Sequence, residues 1–245
     1  SSTASQTINV IDNTPPVIAS LPAISTINCP AVPNFATATA TDACGGIVTL
    51  TFADVTTPGT CVGNYSITRT WTAKDNCNNS STASQTINVI DNTPPVIAPL
   101  PAISTINCPA VPNFATATAT DACGGTVTLT FADVTTPSST CPLKYSITRT
   151  WTAKDNCNNS STASQTINVI DNTPPVIASL PAISTINCPA VPNFATATAT
   201  DACGGIVTLT FADVTTPGTC VGNYSITRTW TAKDNCNNSS TASQT

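Results

Sequence analysis

Several stretches of this chain alternate polar and apolar residues, and each stretch recurs along the sequence. Phe35–Asp42, F-A-T-A-T-A-T-D, alternates small apolar residues with threonine, which is the pattern of a half-buried strand. Val48–Asp54, V-T-L-T-F-A-D, alternates in the same way. The period of two predicts a second strand whose inward residues are Val48, Leu50 and Phe52.

The next alternating stretch is Tyr65–Ala73, Y-S-I-T-R-T-W-T-A. One face of this predicted strand carries Tyr65, Ile67, Arg69 and Trp71. Arg69 is the unusual member, because a charge lies on the side that carries the tryptophan. We expect its aliphatic stem to pack and its guanidinium to reach a carboxylate or the edge of the sheet.

The first and last strands of the unit are bounded by prolines. Val17–Cys29 follows a Pro-Pro pair and contains Pro22, which predicts an edge strand or a broken first strand. Ala83–Ile90 is the predicted last strand, and it runs into the linker D-N-T-P-P at Asp91–Pro95.

These elements repeat with a period of about 80 residues, as the positions of Trp71, Trp151 and Trp230 show. We interpret residues 1–12 as the last strand of a preceding repeat, and residues 13–92, 93–172 and 173–245 as three repeats. The third of these lacks its last strand beyond Gln244 and Thr245. The copies differ mainly in the loop Pro137–Lys144, which replaces P-G-T-C-V-G-N with P-S-S-T-C-P-L-K.

Composition agrees with an all-β fold. The chain is rich in threonine, valine, isoleucine and asparagine and contains no glutamate, and these residues favour strands and turns over helices. Short strands separated by glycine, proline and asparagine turns predict tandem immunoglobulin-like Greek-key β-sandwiches, stapled by disulfides and arranged as a linear rod.

Charge and cysteine content limit the possible partners and the compartment. The net charge is −5 and the chain has seven basic residues, which argues against a nucleic-acid partner. No apolar run is long enough to span a membrane. The 12 cysteines, with no histidine and no C-x-x-C pair, indicate disulfides in an oxidising, extracellular compartment rather than zinc sites.

The predicted sandwich suggests how the cysteines pair. Cys44 and Cys77 follow two strands that end at the N-terminal end of the domain, whereas Cys29 and Cys61 lie in connections at the opposite end. Four cysteines allow three connectivities, and this placement favours bonds within each repeat. The expected pairs are Cys29–Cys61, Cys44–Cys77, Cys108–Cys141, Cys123–Cys157, Cys188–Cys220 and Cys203–Cys236.

The run A-K-D-N-C-N-N-S-S-T-A-S-Q-T-I-N-V-I-D-N-T-P-P-V-I at Ala73–Ile97 resembles the end of a hyaline-repeat (HYR-like) or cadherin-like domain. The whole unit is similar to the immunoglobulin-like repeats of giant surface adhesins of gliding bacteria. The resemblance implies export, display on the cell surface, and an adhesive or structural role. It identifies no ligand.

The cadherin resemblance also suggests calcium at the linkers between repeats. Asp91 and Asn92 lie in a linker, and Asp121 and Asp155 fall at the N-terminal end of the following repeat. Over the chain the candidate ligands are Asp12, Asn13, Asp42, Asp75, Asp91, Asn92, Asp121, Asp155, Asp171, Asn172, Asp201 and Asp234. The alternative is a metal-free linker that requires no cofactor, because aspartate and asparagine are common turn residues and the glutamate ligands of cadherins are absent.

Catalysis finds no support in the residues. Without histidine or glutamate, and with the cysteines oxidised, no nucleophile and base combination of the usual kinds is available, so we expect no enzyme. The favoured function is a structural segment of an extracellular stalk or filament of a bacterial surface protein that supports attachment.

Two alternatives stay open. In one, the repeats themselves bind a glycan or another surface, with Pro137–Lys144 as the candidate contact. In the other, the opening strand Thr3–Ile11 of one molecule completes the open third repeat of another by strand addition. We favour covalent continuation of the chain into further copies over strand addition, because it gives the same geometry.

Overall fold

The structure is a computed structural model that describes residues 1–139, 141 and 143–245. The strands of the first repeat are β1 (Val17–Ile18), β2 (Ser25–Asn28), β3 (Ala40–Thr41), β4 (Thr49–Pro58), β5 (Tyr65–Lys74) and β6 (Ser80–Ile90). The second repeat holds β7 (Val96–Ile97), β8 (Ser104–Asn107), β9 (Ala119–Thr120), β10 (Thr128–Pro137), β11 (Tyr145–Lys154) and β12 (Ser160–Ile170). The third holds β13 (Val176–Ile177), β14 (Ala199–Thr200), β15 (Thr208–Pro217), β16 (Tyr224–Lys233) and β17 (Ser239–Gln244). All secondary structure in these described ranges is β.

Each of the first two repeats has a four-stranded and a two-stranded sheet. The larger sheet of repeat 1 has the order β2-β6-β5-β4, and β1 pairs with β3. β2 runs parallel to β6, whereas β5 is antiparallel to both of its neighbours. Repeat 2 has the same order of strands. The predicted fold class, an all-β chain of immunoglobulin-like β-sandwich repeats, is confirmed.

The core of each repeat is small and centred on one tryptophan. In repeat 1 it contains Trp71, Ala73, Ile87 and Val89, all 5% exposed or less. The ring of Phe35 packs edge-on against Trp71, with 6.3 Å between the ring centroids. Of the two outcomes predicted for Val17–Cys29, an edge strand or a broken first strand, the structure shows the broken strand, since β1 and β2 lie on either side of Pro22.

The predicted strand Phe35–Asp42 is much shorter in the structure, where only Ala40–Thr41 pairs. The alternation in burial nevertheless persists, because Ala36, Ala38 and Ala40 are half-buried and the two threonines between them are exposed. Instead of joining a ladder, the N–H of Ala36 donates to the side-chain carbonyl of Gln85 at 3.1 Å. A buried side chain therefore replaces a neighbouring strand as the hydrogen-bond partner.

Two other expectations fail locally. Phe52 does not face the core: it is 59% exposed, because it lies on the edge strand β4 and its ring stacks on a guanidinium. The opening stretch Thr3–Ile11 forms no strand. Its counterpart β6 is held by strands on both sides, and the described residues offer the opening stretch no such neighbours.

The described residues divide into two compact units. Unit 1 comprises Ser1–Ala98, Thr118–Thr130 and Thr152–Thr162, and unit 2 comprises Pro99–Ala117, Phe131–Trp151 and Ala163–Thr245. Each unit contains one full connection between successive repeats. We call them joint 1, around Asp91–Pro95 in unit 1, and joint 2, around Asp171–Pro175 in unit 2.

Candidate functional site: disulfides and buried carboxylates at the joints

Two disulfides close joint 1. Cys29 bonds to Cys123 and Cys61 bonds to Cys157, with Cα atoms 5.4 and 5.3 Å apart. Joint 2 repeats the arrangement with the bonds Cys108–Cys203 and Cys141–Cys236. The first and third cysteines of one repeat thus bond to the second and fourth of the next.

This pairing corrects the expectation of bonds within each repeat. The predicted pairs Cys29–Cys61, Cys44–Cys77, Cys108–Cys141, Cys123–Cys157, Cys188–Cys220 and Cys203–Cys236 are not formed. The physical reason is that the two ends of a repeat meet different neighbours. Cysteines at the C-terminal end of one repeat lie within bonding distance of those at the N-terminal end of the next.

Three aspartates converge at joint 1. One carboxylate oxygen from each of Asp91, Asp121 and Asp155 lies within 4.8 Å of the others. Asp91 follows β6 directly, Asp121 follows β9, and Asp155 follows β11. The ends of three strands therefore bring these carboxylates together. Asp91 and Asp155 are buried, and Asp121 is half-buried.

The three carboxylates differ in how well they are satisfied. Asp155 accepts hydrogen bonds on both oxygens, from the N–H groups of Cys157 and Asn159 at 2.8 and 2.9 Å and from the Asn159 side-chain amide at 2.9 Å. By contrast, Oδ2 of Asp91 and Oδ2 of Asp121 are buried without a hydrogen-bond partner. Unsatisfied buried carboxylate oxygens are costly, and they are the main indication that this cluster binds something.

Asn159 is the residue that links the two sides of joint 1. Its side-chain amide also donates to the backbone carbonyl of Asp91 at 3.1 Å and to Asp91 Oδ1 at 3.2 Å. The turn that presents it contains Asn158 at φ 73°, a left-handed conformation that asparagine tolerates better than most residues. The side-chain amides of the equivalent residues Asn79 and Asn238 donate to Oδ2 of Asp75 and Asp234, as Asn159 does to Oδ2 of Asp155.

Joint 2 has equivalent carboxylates at Asp171, Asp201 and Asp234, but a lysine lies near them where joint 1 has an asparagine. Asp171 is fully buried, and Oδ2 of Asp171 and of Asp201 has no hydrogen-bond partner. Burial, followed by the charges of Asp201 and Asp234, raises the pKa of Asp171, whereas the Thr173 N–H and Lys144 oppose the shift. Lys144 occupies the position of Asn64, whose side-chain oxygen accepts the Asp91 N–H at 2.5 Å in joint 1.

The N-terminal end of repeat 1 carries a third, incomplete version of the cluster. Asp12, Asp42 and Cys44 each place a ligand-type atom within 4.8 Å of the others, and Asp42 Oδ2 is buried without a partner. Asp75 accepts the same hydrogen bonds from its own turn as Asp155 does.

The predicted ligand set is brought together only in part. Asp91, Asp121 and Asp155 meet, as the linker hypothesis requires. Asn13, Asn92 and Asn172 are exposed and take no part in the carboxylate clusters. The amides that do hold the carboxylates, Asn79, Asn159 and Asn238, were missed, although the recurring D-N-C-N-N motif carried the signal. The loop Pro137–Lys144 includes residues 140 and 142, which lie outside the described residues.

The chemistry of the cluster fits a hard cation. Carboxylate oxygens are the ligands that calcium prefers, and calcium takes six to eight of them together with carbonyls and water. The clusters that combine Asp91 or Asp171 with cysteines offer no thiolate, because those cysteines are in disulfides. Asp91 Oδ2 and Asp121 Oδ2, the two buried oxygens of this cluster without a hydrogen-bond partner, are the atoms that would hold such an ion.

Comparison with known families identifies the repeat. The model of the HYR-like domain with 4 cysteines matches residues 17–89, 96–169 and 176–245, which is most of the chain. The chain therefore belongs to this family of repeats. No curated protein sequence matches it. None of the described residues forms a helix that is long and apolar enough to cross a membrane.

Solved structures that are similar to the chain include cadherin ectodomains. The crystal structure of human CDH23 EC21-23 is 17% identical, with 92% of this chain and 100% of that chain covered and a TM-score of 0.35. Mouse cadherin-23 EC22-24 is 15% identical over 95% and 98% of the two chains, with a TM-score of 0.35. Drosophila N-cadherin EC1-4 is 13% identical over 96% and 75%, with a TM-score of 0.32.

Proposed function

We propose that this chain is a load-bearing segment of an extracellular stalk or filament of a bacterial surface protein, whose repeats support attachment. The observation that carries this proposal is the pair of disulfides at each joint. Neighbouring repeats are covalently tied at two points in addition to the linker. Disulfides of this kind form and persist in oxidising compartments, which supports an extracellular location.

The disulfides shorten the covalent route for tension through the chain. A force applied at the two ends passes from residue 1 to Cys29, across to Cys123, along to Cys141, across to Cys236 and on to residue 245. This route contains about 55 residues of backbone, or about 190 Å when extended. Pairs within each repeat would leave a route of about 145 residues, and the reduced chain would extend to about 830 Å.

Single-molecule force spectroscopy on the oxidised 245-residue chain, held at its two ends, tests the proposal. We expect a fully stretched length near 190 Å, rising to about 830 Å with a reductant or in a variant with every cysteine changed to serine. A length near 490 Å would indicate disulfides within repeats and would remove the basis for a load-bearing role.

We also propose that joint 1 binds one calcium ion through Asp91 and Asp121. The two unsatisfied oxygens Asp91 Oδ2 and Asp121 Oδ2 support this proposal, because a cation would compensate two facing carboxylates. The small number of protein ligands places the expected dissociation constant at about 10⁻⁴–10⁻³ M, the range of extracellular calcium modules.

Calorimetric titration with calcium chloride tests the site. We expect the D91N/D121N variant to lose one binding event, whereas D54N, which removes a carboxylate away from the joint, should bind like the wild type. In calcium-free buffer D91N/D121N should melt at a higher temperature, since it removes repulsion between buried like charges. A wild-type chain that binds no calcium at 10⁻² M, about tenfold above that range, would contradict the proposal.

A further inference from the structure

Joint 2 gathers two pairs of cysteines around one carboxylate. A carboxylate oxygen of Asp171 and the sulfurs of Cys108 and Cys203 lie within 4.8 Å of one another. The same holds for a carboxylate oxygen of Asp171 and the sulfurs of Cys141 and Cys236. Neither pair can be recognised from spacing along the chain, because the two cysteines of each are 95 residues apart.

Asp171 has a buried oxygen that lacks a partner. The residue is 0% exposed, and its Oδ2 makes no hydrogen bond. Its Oδ1 accepts hydrogen bonds from the Thr173 N–H at 3.1 Å and from the side-chain amide of Asn238 at 3.3 Å. These two bonds fix the carboxylate among the cysteines, and the remaining oxygen needs a donor or a cation to offset the cost of its burial.

Joint 1 offers a different set of ligand atoms. Among the described residues, Asp91 forms one such group with a single pair of cysteines, Cys29 and Cys123, and another with Asp121 and Asp155. Joint 1 is therefore the richer in oxygen ligands and joint 2 the richer in sulfur ligands. Calcium prefers oxygen ligands, whereas thiolates select softer ions such as zinc.

We propose that joint 2 binds one soft divalent metal ion, zinc being the expected one, while its cysteines are thiols. Asp171 and one pair of cysteines supply three ligands, and a sulfur of the other pair supplies the fourth ligand of a tetrahedral site. Zinc lies about 2.3 Å from sulfur and about 2.0 Å from oxygen in such sites. Ligand atoms that already lie within 4.8 Å of one another need to move little to surround it. The site exists before the disulfides close and again when a reductant opens them.

Contacts other than the disulfides also hold joint 2 together. The side-chain amide of Asn238 donates to the backbone carbonyl of Asp171 at 3.2 Å. The hydroxyl of Ser240 donates to the backbone carbonyl of Pro175. These bonds do not depend on the oxidation state of the cysteines, so they keep the ligands of the two repeats near one another in the reduced chain.

Lys144 favours an ion that binds thiolates. It lies near Asp171 and opposes the rise in the pKa of that carboxylate. Each thiol loses its proton when it binds zinc, so one divalent ion with three thiolates leaves the site one charge more negative than the free thiols. A lysine beside the site stabilises this change, whereas it repels a calcium ion, which brings only positive charge.

Closure of the disulfides releases the ion. One thiolate of a pair attacks a small-molecule disulfide and releases one small-molecule thiolate, and the second protein thiolate displaces the other. The two protein thiolates lose two electrons and form one disulfide, while the small disulfide gains two electrons and becomes two thiolates. Joint 2 consumes two equivalents of the small disulfide, and the zinc leaves because its sulfur ligands are gone.

Titration of the reduced 245-residue chain with cobalt(II) chloride, in the absence of oxygen, tests the site, because thiolate-bound cobalt absorbs strongly in the near ultraviolet. In the test chain every cysteine outside joint 2 is serine, and in the control chain every cysteine outside joint 1 is serine. Both keep four thiols at nearly the same spacing. We expect the test chain to bind one equivalent of cobalt, which zinc displaces, and the control chain to bind at least about tenfold more weakly. Equal affinities would mean that flexible thiols hold the metal, and would overturn the proposal.

Substitutions in the test chain examine the other groups at the site. D171N should weaken cobalt binding at least about tenfold, whereas D54N, which removes a carboxylate of repeat 1, should leave it unchanged. K144N should weaken cobalt binding and K144R should not, which is the opposite of the order expected for calcium. Unchanged affinity in D171N, or tighter binding in K144N, would refute this ligand set. Circular dichroism of each reduced chain monitors the strands, and cobalt binding by a chain that has none, with or without metal, would also overturn the proposal.

Discussion

The guanidinium of Arg69 donates hydrogen bonds of 2.7 and 2.8 Å to the two carboxylate oxygens of Asp54 on the neighbouring strand. It also lies between two aromatic rings, 4.4 Å from the centroid of Phe35 and 4.0 Å from that of Phe52. Repeats 2 and 3 contain the same arrangement at Arg149 and Arg228. A planar guanidinium can bond a carboxylate with two nitrogens and stack on aromatic faces at the same time, whereas the ammonium group of lysine cannot.

This ion pair should make the stability of the repeats depend on pH. The hydrogen bonds from Arg69 lower the pKa of Asp54 below its usual 3.8, and Asp133 and Asp213 behave likewise. Because the folded pKa is lower than the unfolded one, the contribution is present above pH 3.8 and is lost as the pH falls through the folded pKa. The D54N/D133N/D213N variant should therefore unfold more easily than the wild type at pH 6, and the difference should shrink below pH 3.8. Chemical denaturation at several pH values measures the difference in unfolding free energy between the variant and the wild type. A difference that does not change with pH would contradict a stabilising role for the Asp54–Arg69 ion pair and its equivalents.

Replacing Asn159 by alanine should weaken joint 1. The variant loses the donated bonds to Asp91 and Asp155 and leaves more carboxylate oxygens unsatisfied, which costs about 1–3 kcal/mol. Hydrogen exchange of the backbone amides at joint 1 should accelerate in N159A. N92A, which truncates an exposed asparagine of the same linker, is the control and should leave exchange unchanged.

The two joints should differ in their affinity for calcium. Lys144 places a positive charge near Asp171, where joint 1 has the neutral Asn64. We expect K144N to strengthen calcium binding at joint 2, and K144R, which keeps the charge, to leave it weak. Titration of both variants in the D91N/D121N background isolates joint 2. Equal affinity in K144N and K144R would exclude a role for the charge.

The number of free thiols distinguishes the possible disulfide patterns. In the monomeric oxidised chain, after denaturation, four thiols should react with a label, those of Cys44, Cys77, Cys188 and Cys220. C29S/C123S should also give four, whereas C29S/C61S should give six, because it leaves the partners of both cysteines unpaired. Bonds within each repeat would instead give none in the wild type. Quantitative thiol labelling distinguishes these patterns.

The packed end of β6 should carry much of the stability of repeat 1. Ile87 is 2% exposed, so I87A should lower the free energy of unfolding by about 2–5 kcal/mol. I24A removes the same atoms from a side chain that is 69% exposed. It should change the free energy of unfolding by less than about 0.5 kcal/mol. Thermal denaturation of the two variants compares them, and similar losses would argue against this core.

Local sequence patterns predicted most strands, because they report on local contacts. Pro22 predicted an edge strand or a broken first strand, and the first strand is broken there. Arg69 was expected to reach a carboxylate or the sheet edge, and it bonds the carboxylate of Asp54. The pattern at Phe35–Asp42 predicted the burial of its alanines but not the absence of a ladder, because that depends on the distant Gln85. Alternation shows which face is buried and not what lies at the edge.

Disulfide pairing could not be predicted in the same way. In a chain of near-identical repeats, every cysteine has an equivalent about 80 residues away, so spacing alone does not distinguish a bond within a repeat from one to its neighbour. The interpretation that placed Cys44 and Cys77 at one end of the domain considered a single repeat. The bond from Cys29 to Cys123 becomes evident only when the next repeat is placed beside it.

The disulfide loops overlap along the chain. Cys29–Cys123 encloses Cys61 and Cys108, Cys61–Cys157 encloses Cys141, and Cys108–Cys203 overlaps the loop closed by Cys141–Cys236. Every peptide bond between residues 29 and 236 therefore lies inside at least one loop. A protease that cuts once anywhere in this range leaves its two products attached to each other, so the chain can lose a peptide bond without losing its connection from one end to the other.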